Sequence, residues 1–194
     1  MKRKGEKKTP AGYTMVEMVV ILAIITGISG IVLFSFTGLN EGASLNRSIR
    51  ELALAIRRAQ NMSLAVTQLE VGSPPTSQIP PAVGVRLSTQ DPERYFLFAD
   101  LAPVDNRYTG VGEKIGNTET LFERRVKINR IRGDGGSPHT TVHILFTAPE
   151  ANITFSDDAG AVIPGEKIEI ELISPSGDLV RTITVRLSGQ ISVK

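Results

Sequence analysis

A run of 19 residues without a single charge, residues 18–36, lies directly behind a short basic leader. As a helix rising about 1.5 Å per residue, a segment of this length nearly crosses the ~30 Å hydrocarbon core of a membrane. Residues 1–12 carry five Lys or Arg side chains against Glu6. Because basic residues stay on the cytoplasmic side, we expect the leader inside and the rest of the chain outside.

Three interpretations of this segment compete. A cleaved signal peptide needs a shorter apolar region and a small-residue cleavage site of the A-x-A kind, and neither is present. A plain signal anchor explains every feature except Glu17, a carboxylate at the edge of the apolar run that costs a few kcal/mol to insert. If the chain is cut after Gly12, Tyr13 gains an α-amino group. Glu17 of a neighbouring subunit could then pair with that amine.

The hexapeptide Gly12-Tyr13-Thr14-Met15-Val16-Glu17, behind a basic leader and before an apolar helix, resembles the class III signal of type IV pilins and pseudopilins. The resemblance implies that a prepilin peptidase cleaves between Gly12 and Tyr13 and that Tyr13 is then N-methylated. It also makes Glu17 the glutamate used in assembly. Many pilins have a proline in the middle of this helix, whereas Phe34 stands about there in this chain.

Apolar residues then recur at helical spacing, at Leu45, Ile49, Leu52, Ile56 and Ala59. This pattern predicts one helix from Tyr13 to about Gln68, with residues 13–36 as its membrane and assembly part and residues 37–70 as an amphipathic continuation. Four prolines in residues 71–82 forbid further helix. We expect these residues to form an extended connector.

From residue 83 to 194 the pattern changes to alternation, with β-branched and aromatic residues in short runs. The clearest case is a hairpin in which Ile168, Ile170 and Leu172 alternate with Glu169 and Glu171. The predicted fold class is α+β: a long amino-terminal helix packed on an extracytoplasmic antiparallel sheet or sandwich head.

Within the pilin family, this arrangement is most similar to the H-type minor pseudopilins of type II secretion and the FimT-type minor pilins. The segments that carry the similarity are residues 51–60, residues 144–149 and residues 187–191. Glu150 and Gln190 depart from the family pattern, which has a small residue and a basic residue at these places.

Reactive chemistry is sparse in this sequence. With no cysteine, disulfides, thiolate metal sites and a cysteine nucleophile are excluded. His139 and His143 lie in a glycine-rich turn and the adjoining strand, four residues apart. On a strand this spacing would put them on one face but about 13 Å apart, too far to share a metal. The glycine-rich residues 133–137 lack a P-loop lysine and are interpreted as a hairpin loop. Asp105-Asn106 and Asp157-Asp158 are minor candidates for calcium. We therefore predict no enzyme activity, no metal and no cofactor.

A cluster of basic residues supports an alternative function, DNA binding. Arg124, Arg125, Lys127, Arg130 and Arg132, called here the basic segment, follow Glu123 within ten residues. If the segment is a strand, Val126 and Ile128 face inward while Arg125, Lys127 and Asn129 face outward, and the cations could track a DNA backbone. The alternative is a solvated face balanced by Glu113, Glu119 or the pair Glu169 and Glu171.

The sequence as a whole predicts a non-enzymatic minor pilin or pseudopilin, in a type II secretion or a type IV pilus machine. Its expected partners are prepilin peptidase, other pilin or pseudopilin subunits, the inner-membrane assembly platform and membrane lipid, with DNA as the alternative. The whole chain has a net charge of +2, but the leader holds +4 of it. After cleavage the subunit would be near −2, so only the basic segment argues for DNA.

Overall fold

The computed structural model describes residues 12–116 and 119–194, and between residues 33 and 39 it describes the backbone alone. The predicted leader therefore lies outside the described residues except for Gly12. The chain divides into two units, residues 1–40 and residues 41–194. Helix α1 (Met15–Leu64) begins in the first unit and ends in the second.

Within the second unit, α1 buries the face that the sequence predicts. Leu45, Ile49, Leu52, Ile56 and Ala59 are all fully buried. The hydroxyl of Ser63 on the same face donates a hydrogen bond to the Phe146 carbonyl oxygen at 2.8 Å. The helix ends at Leu64, four residues before the predicted Gln68, because Val66 adopts a left-handed backbone with φ of 46°.

The proline-rich segment is more ordered than the predicted connector. Strand β1 (Leu69–Val71) pairs antiparallel with strand β2 (Thr76–Gln78), so a small hairpin occupies most of it. The remaining residues lead into the first strand of the head.

Two five-stranded antiparallel sheets form the head. The first sheet has the order β5-β4-β3-β8-β9, and its strands are β3 (Ala82–Ser88), β4 (Arg94–Asp100), β5 (Thr120–Leu121), β8 (Thr141–Thr147) and β9 (Asn152–Ser156). The second sheet has the order β12-β11-β10-β6-β7, and its strands are β6 (Lys127–Arg132), β7 (Pro138–His139), β10 (Lys167–Ile173), β11 (Val180–Arg186) and β12 (Ile191–Val193).

Side chains from both sheets and from α1 share one apolar core. The predicted hairpin is confirmed as β10 and β11, and Ile168, Ile170 and Leu172 are buried as expected. Leu187, directly after the end of β11, is exposed. The predicted α+β fold class, with a long helix followed by an antiparallel β head, is confirmed.

The first sheet is buried on both faces. Its other face holds a second apolar cluster of Ala82, Phe96, Phe98 and Leu145, against which Tyr108 of the loop after β4 packs. Gly84 permits this arrangement: a Cβ at Gly84 would lie 2.7 Å from the Phe98 ring. A loop with buried polar groups thus covers this face of the sheet, and it contains several of the candidate residues described next.

Candidate functional site

The amino-terminal helix presents apolar side chains with no protein around them. The 18 residues Met15–Val32 have a mean hydropathy of 2.4, and none of that window is buried. By length and composition this stretch is able to cross a membrane. An exposed apolar surface of this size needs either lipid or other helices around it.

The start of α1 is capped by the residues of the predicted signal. The Glu17 backbone N–H donates a hydrogen bond to the Thr14 hydroxyl oxygen at 3.2 Å. Thr14 and Glu17 therefore have the spacing of a capping box. This helix-start signal is present in the sequence beside the processing motif. The Glu17 side chain is exposed and lies in the first turn, where a negative charge is favourable to the helix dipole.

Tyr13 and Gly12 precede the helix and are open to their surroundings. Tyr13 is 73% exposed, and a Cβ placed on Gly12 would meet no atom within 4 Å. Gly12, Tyr13 and Glu17 are thus all accessible in the isolated chain.

The basic segment does not form one strand, which corrects the predicted geometry. Residues Glu123–Arg125 form a short 3-10 turn in which Arg124 and Arg125 have left-handed φ values of 50° and 61°. The strand begins only at Lys127. Val126 and Ile128 are buried, as expected. The register between β6 and β10 shifts opposite Glu171 and Leu172, so the backbone of Asn129 has no register partner on β10. As a result the Arg130 side chain is exposed and the Asn129 side chain is only partly so.

Carboxylates accompany the strand part of the basic segment. Lys127 Nζ lies 3.4 Å from Glu93 Oε1. On the neighbouring strand β10, Glu169 pairs in register with Arg132 and Glu171 with Arg130. Glu119 instead binds Arg94 and Lys114, and Glu113 accepts the Thr109 N–H, so these two acids are engaged elsewhere. The structure brings Glu169 and Glu171 to the segment and not the other predicted acids.

The two histidines belong to different sheets and do not share a strand. His139 belongs to β7 and pairs with Ile131, whereas His143 belongs to β8 and pairs with Arg86. The chain leaves one sheet and enters the other at Thr140. His143 is fully buried with its ring edge-on to Phe98, and its Nδ1 lies 3.1 Å from the Asp157 carbonyl oxygen.

Residues 133–137 form the predicted loop between β6 and β7, closed by a hydrogen bond from Gly133 N–H to the Ser137 carbonyl oxygen.

Asp157, a minor calcium candidate, accepts hydrogen bonds from the backbone N–H groups of Ala159 and Ala161 at 2.9 Å each. Its carboxylate therefore stabilises its own turn.

A group of three acids lies at the end of β4 and in the loop that follows it. One carboxylate oxygen from each of Asp100, Asp105 and Glu113 lies within 4.8 Å of the others, a spacing that a divalent cation could use. The same carboxylates already accept loop hydrogen bonds: Asp100 from the N–H groups of Asp105 and Asn106, and Glu113 from the N–H of Thr109. Sequence reasoning identified only Asp105, because the acids are too far apart along the chain to form a recognisable spacing.

Two buried groups on this side of the first sheet have opposite pKa shifts. Burial raises the pKa of the Asp100 carboxyl from 3.8 to about 6, despite the backbone hydrogen bonds that favour its charged form. Burial lowers the pKa of the His143 imidazole from 6.5 to about 4, although the bond to the Asp157 carbonyl acts against this.

We expect these groups to give opposite pH dependences of stability. Between about pH 4 and 6, Asp100 is ionised in the unfolded chain but protonated in the folded one, so its contribution falls as pH rises. Over nearly the same range His143 is charged only in the unfolded chain, so its contribution rises with pH. Each effect is about 3 kcal/mol and they nearly cancel.

Single substitutions should therefore reveal slopes of opposite sign. Between pH 4.5 and 6, Asp100→Asn should become more stable as pH rises, and His143→Gln less stable. Denaturant unfolding of both variants at several pH values measures this. The same slope in both variants would contradict the assigned pKa shifts.

No protein-family model matches the chain, and no curated protein matches it. Among solved structures, the chain is similar to the minor pseudopilin EpsH from the type 2 secretion system of Vibrio cholerae. The similarity has a TM-score of 0.44 at 12% sequence identity and covers 78% of this chain and 96% of that one. The likeness between the two chains is one of fold alone.

Proposed function

We propose that this chain is a non-enzymatic, membrane-anchored subunit of a type IV filament machine, either a type II secretion pseudopilus or a type IV pilus. The observation that carries the proposal is the apolar stretch Met15–Val32, which has no buried part and begins at the capped Thr14-x-x-Glu17 turn. Such a helix is suited first to lipid and then to a bundle of like helices.

Processing is the first step of the proposal. Prepilin peptidase cleaves between Gly12 and Tyr13 and methylates the new amino terminus at Tyr13. Both residues precede the first helical turn and are accessible. Removal of the leader discards the charges that orient the precursor with its amino terminus in the cytoplasm and its head outside.

Assembly is the second step. In a bundle, Glu17 of one subunit pairs with the α-amine of Tyr13 of a neighbour, so that neither charge is left alone in an apolar environment. Within its own chain Glu17 lies in the first helical turn with its side chain exposed, and is therefore able to reach another chain. The partners are other pilin or pseudopilin subunits, membrane lipid and the inner-membrane assembly platform.

The head is proposed to be displayed outside the cytoplasmic membrane.

DNA capture by the basic segment stays a second prediction. Arg124 and Arg125 favour it, since both side chains are exposed on a turn. Glu93, Glu169 and Glu171 weigh against it, because they reduce the positive charge along β6.

Blocking the processing step tests the proposed function. Gly12→Val should leave the precursor uncut and anchored in the membrane, because the peptidase must accommodate residue 12 next to the bond that it cleaves. A Cβ at this position meets nothing in the chain itself, so the substitution should not disturb the protein's own structure. Gel mobility of the membrane fraction in cells with the peptidase measures the outcome.

Gly5→Val is the matched control, since it makes the same substitution in the leader outside the motif. We expect this variant to be cut like the unmodified chain. Cleavage of Gly12→Val at the normal rate would refute the assigned processing site.

A further inference from the structure

A cavity of about 350 Å³ opens on the head where the two sheets meet. Its walls come from β6, from β7, from Thr89 directly after β3 and from Thr140 directly before β8. Arg130 and Arg132 lie on one wall, and Thr89, His139 and Thr140 lie on the others. The cavity therefore combines two guanidinium groups with hydroxyl groups.

The two arginines have no ion-pair partner among the residues that the structure describes, although each has a glutamate beside it in register. Glu171 is bonded to the Asn129 side-chain amide, and Glu169 is bonded to Lys167 Nζ at 2.8 Å. The bulge at Asn129 explains the first of these bonds, because it inserts an amide donor next to Glu171. Both nearby carboxylates are thus engaged while both guanidinium groups keep their donors available.

Arg130 and Arg132 are two residues apart on one strand, about 6.6 Å along the chain, so their side chains can approach one group together. A guanidinium presents a planar fork of donors that matches the oxygens of a phosphate or a carboxylate. The hydroxyl group of Thr140 adds a neutral donor at the rim. The Thr89 hydroxyl already donates to the Thr140 carbonyl oxygen at 3.1 Å. These features favour a compact anion with several oxygens.

A second cavity separates this site from acidic residues. It shares Pro138, His139 and Thr140 with the first one and is lined on its far side by Asp157 and Asp158. The positive and negative walls therefore lie on opposite sides of His139. Of the two cavities, the one lined by Arg130 and Arg132 is therefore the more favourable for an anion.

We propose that the cavity between Arg130, Arg132 and Thr140 is a binding site for a phosphate monoester, supplied by a soluble phosphorylated compound or by a phosphorylated lipid headgroup. The site is independent of filament assembly, because it lies on the head and uses none of the residues at the start of α1. It also differs from a DNA-tracking surface, which would use all the cations of the basic segment alike.

The test is equilibrium dialysis of the detergent-purified full chain against radiolabelled inorganic phosphate at constant ionic strength. We expect saturable binding that falls about tenfold or more in Arg130→Gln/Arg132→Gln, since the charge-assisted contacts of both guanidinium groups are lost. The matched control, Arg124→Gln/Arg125→Gln, removes the same charge outside the cavity and should bind like the unmodified chain. Thermal unfolding of both double variants verifies that they are folded.

Competition with glucose 1-phosphate and with vesicles that contain phosphatidate identifies the source of the phosphate. Displacement by either probe that depends on Arg130 and Arg132 supports the site. The proposal is overturned if phosphate does not bind, or if both double variants lose binding equally. Binding of a DNA duplex that weakens equally in the two double variants, without phosphate binding, would assign the surface to DNA and likewise overturn it.

Discussion

Glu17→Gln is expected to leave the protein processed and membrane-bound but absent from assembled filaments. The substitution removes the charge that we propose to pair with the Tyr13 amine of a neighbour, so the amine would enter the bundle unpaired. We expect at least a tenfold loss of the chain from the sheared filament fraction, measured by quantitative immunoblotting against the membrane fraction. Glu70→Gln, at an exposed glutamate of β1, makes the same charge change far along the chain from the first helical turn and should assemble normally.

A local effect on the helix start can be separated from this role. Thr14→Ala removes the hydroxyl that accepts the Glu17 N–H but leaves the Glu17 carboxylate in place. We expect Thr14→Ala to retain most of its incorporation, because the lost cap costs only about 1 kcal/mol. Normal assembly of Glu17→Gln would refute the proposed pairing.

Ile56→Ala is expected to cause a large loss of stability. Ile56 is fully buried in the core that α1 shares with both sheets, so truncation leaves a cavity and costs about 2–5 kcal/mol. Leu54, two residues earlier on the same helix, is 63% exposed. Leu54→Ala should therefore change stability by only about 0.5 kcal/mol.

Denaturant unfolding followed by tyrosine fluorescence measures this pair of variants, because Tyr95 is buried in the head and the sequence has no tryptophan. Equal destabilisation by the two substitutions would show that residues 41–64 do not contribute to the core in the orientation described.

The elements with a strong period were predictable from the sequence. Spacings of three and four predicted the buried face from Leu45 to Ala59, and strict alternation predicted the hairpin of β10 and β11. Periodicity does not predict the structure where a single residue changes the strand register or the backbone direction. The left-handed conformations at Arg124 and Arg125 and the extra residue Asn129 are local backbone features, and no periodic signal precedes them.

The candidate sites likewise divide into those that the sequence predicts and those that only the fold brings together. Gly12, Tyr13, Thr14 and Glu17 are adjacent in the chain, so a linear motif predicts them together. Asp100 and Glu113 meet only because a long loop folds back over the first sheet. His139 and His143 are only four residues apart, but the crossing at Thr140 between them puts them in different sheets.

The amino terminus of the chain recovered from sheared filaments tests the central claim most directly. Mass spectrometry of that fraction should find this protein beginning at Tyr13, with one methyl group on its α-amine and with residues 1–12 removed. A chain that is absent from the filament fraction, or that still begins at Met1 there, would contradict the proposal that it is processed and assembled through its first helix.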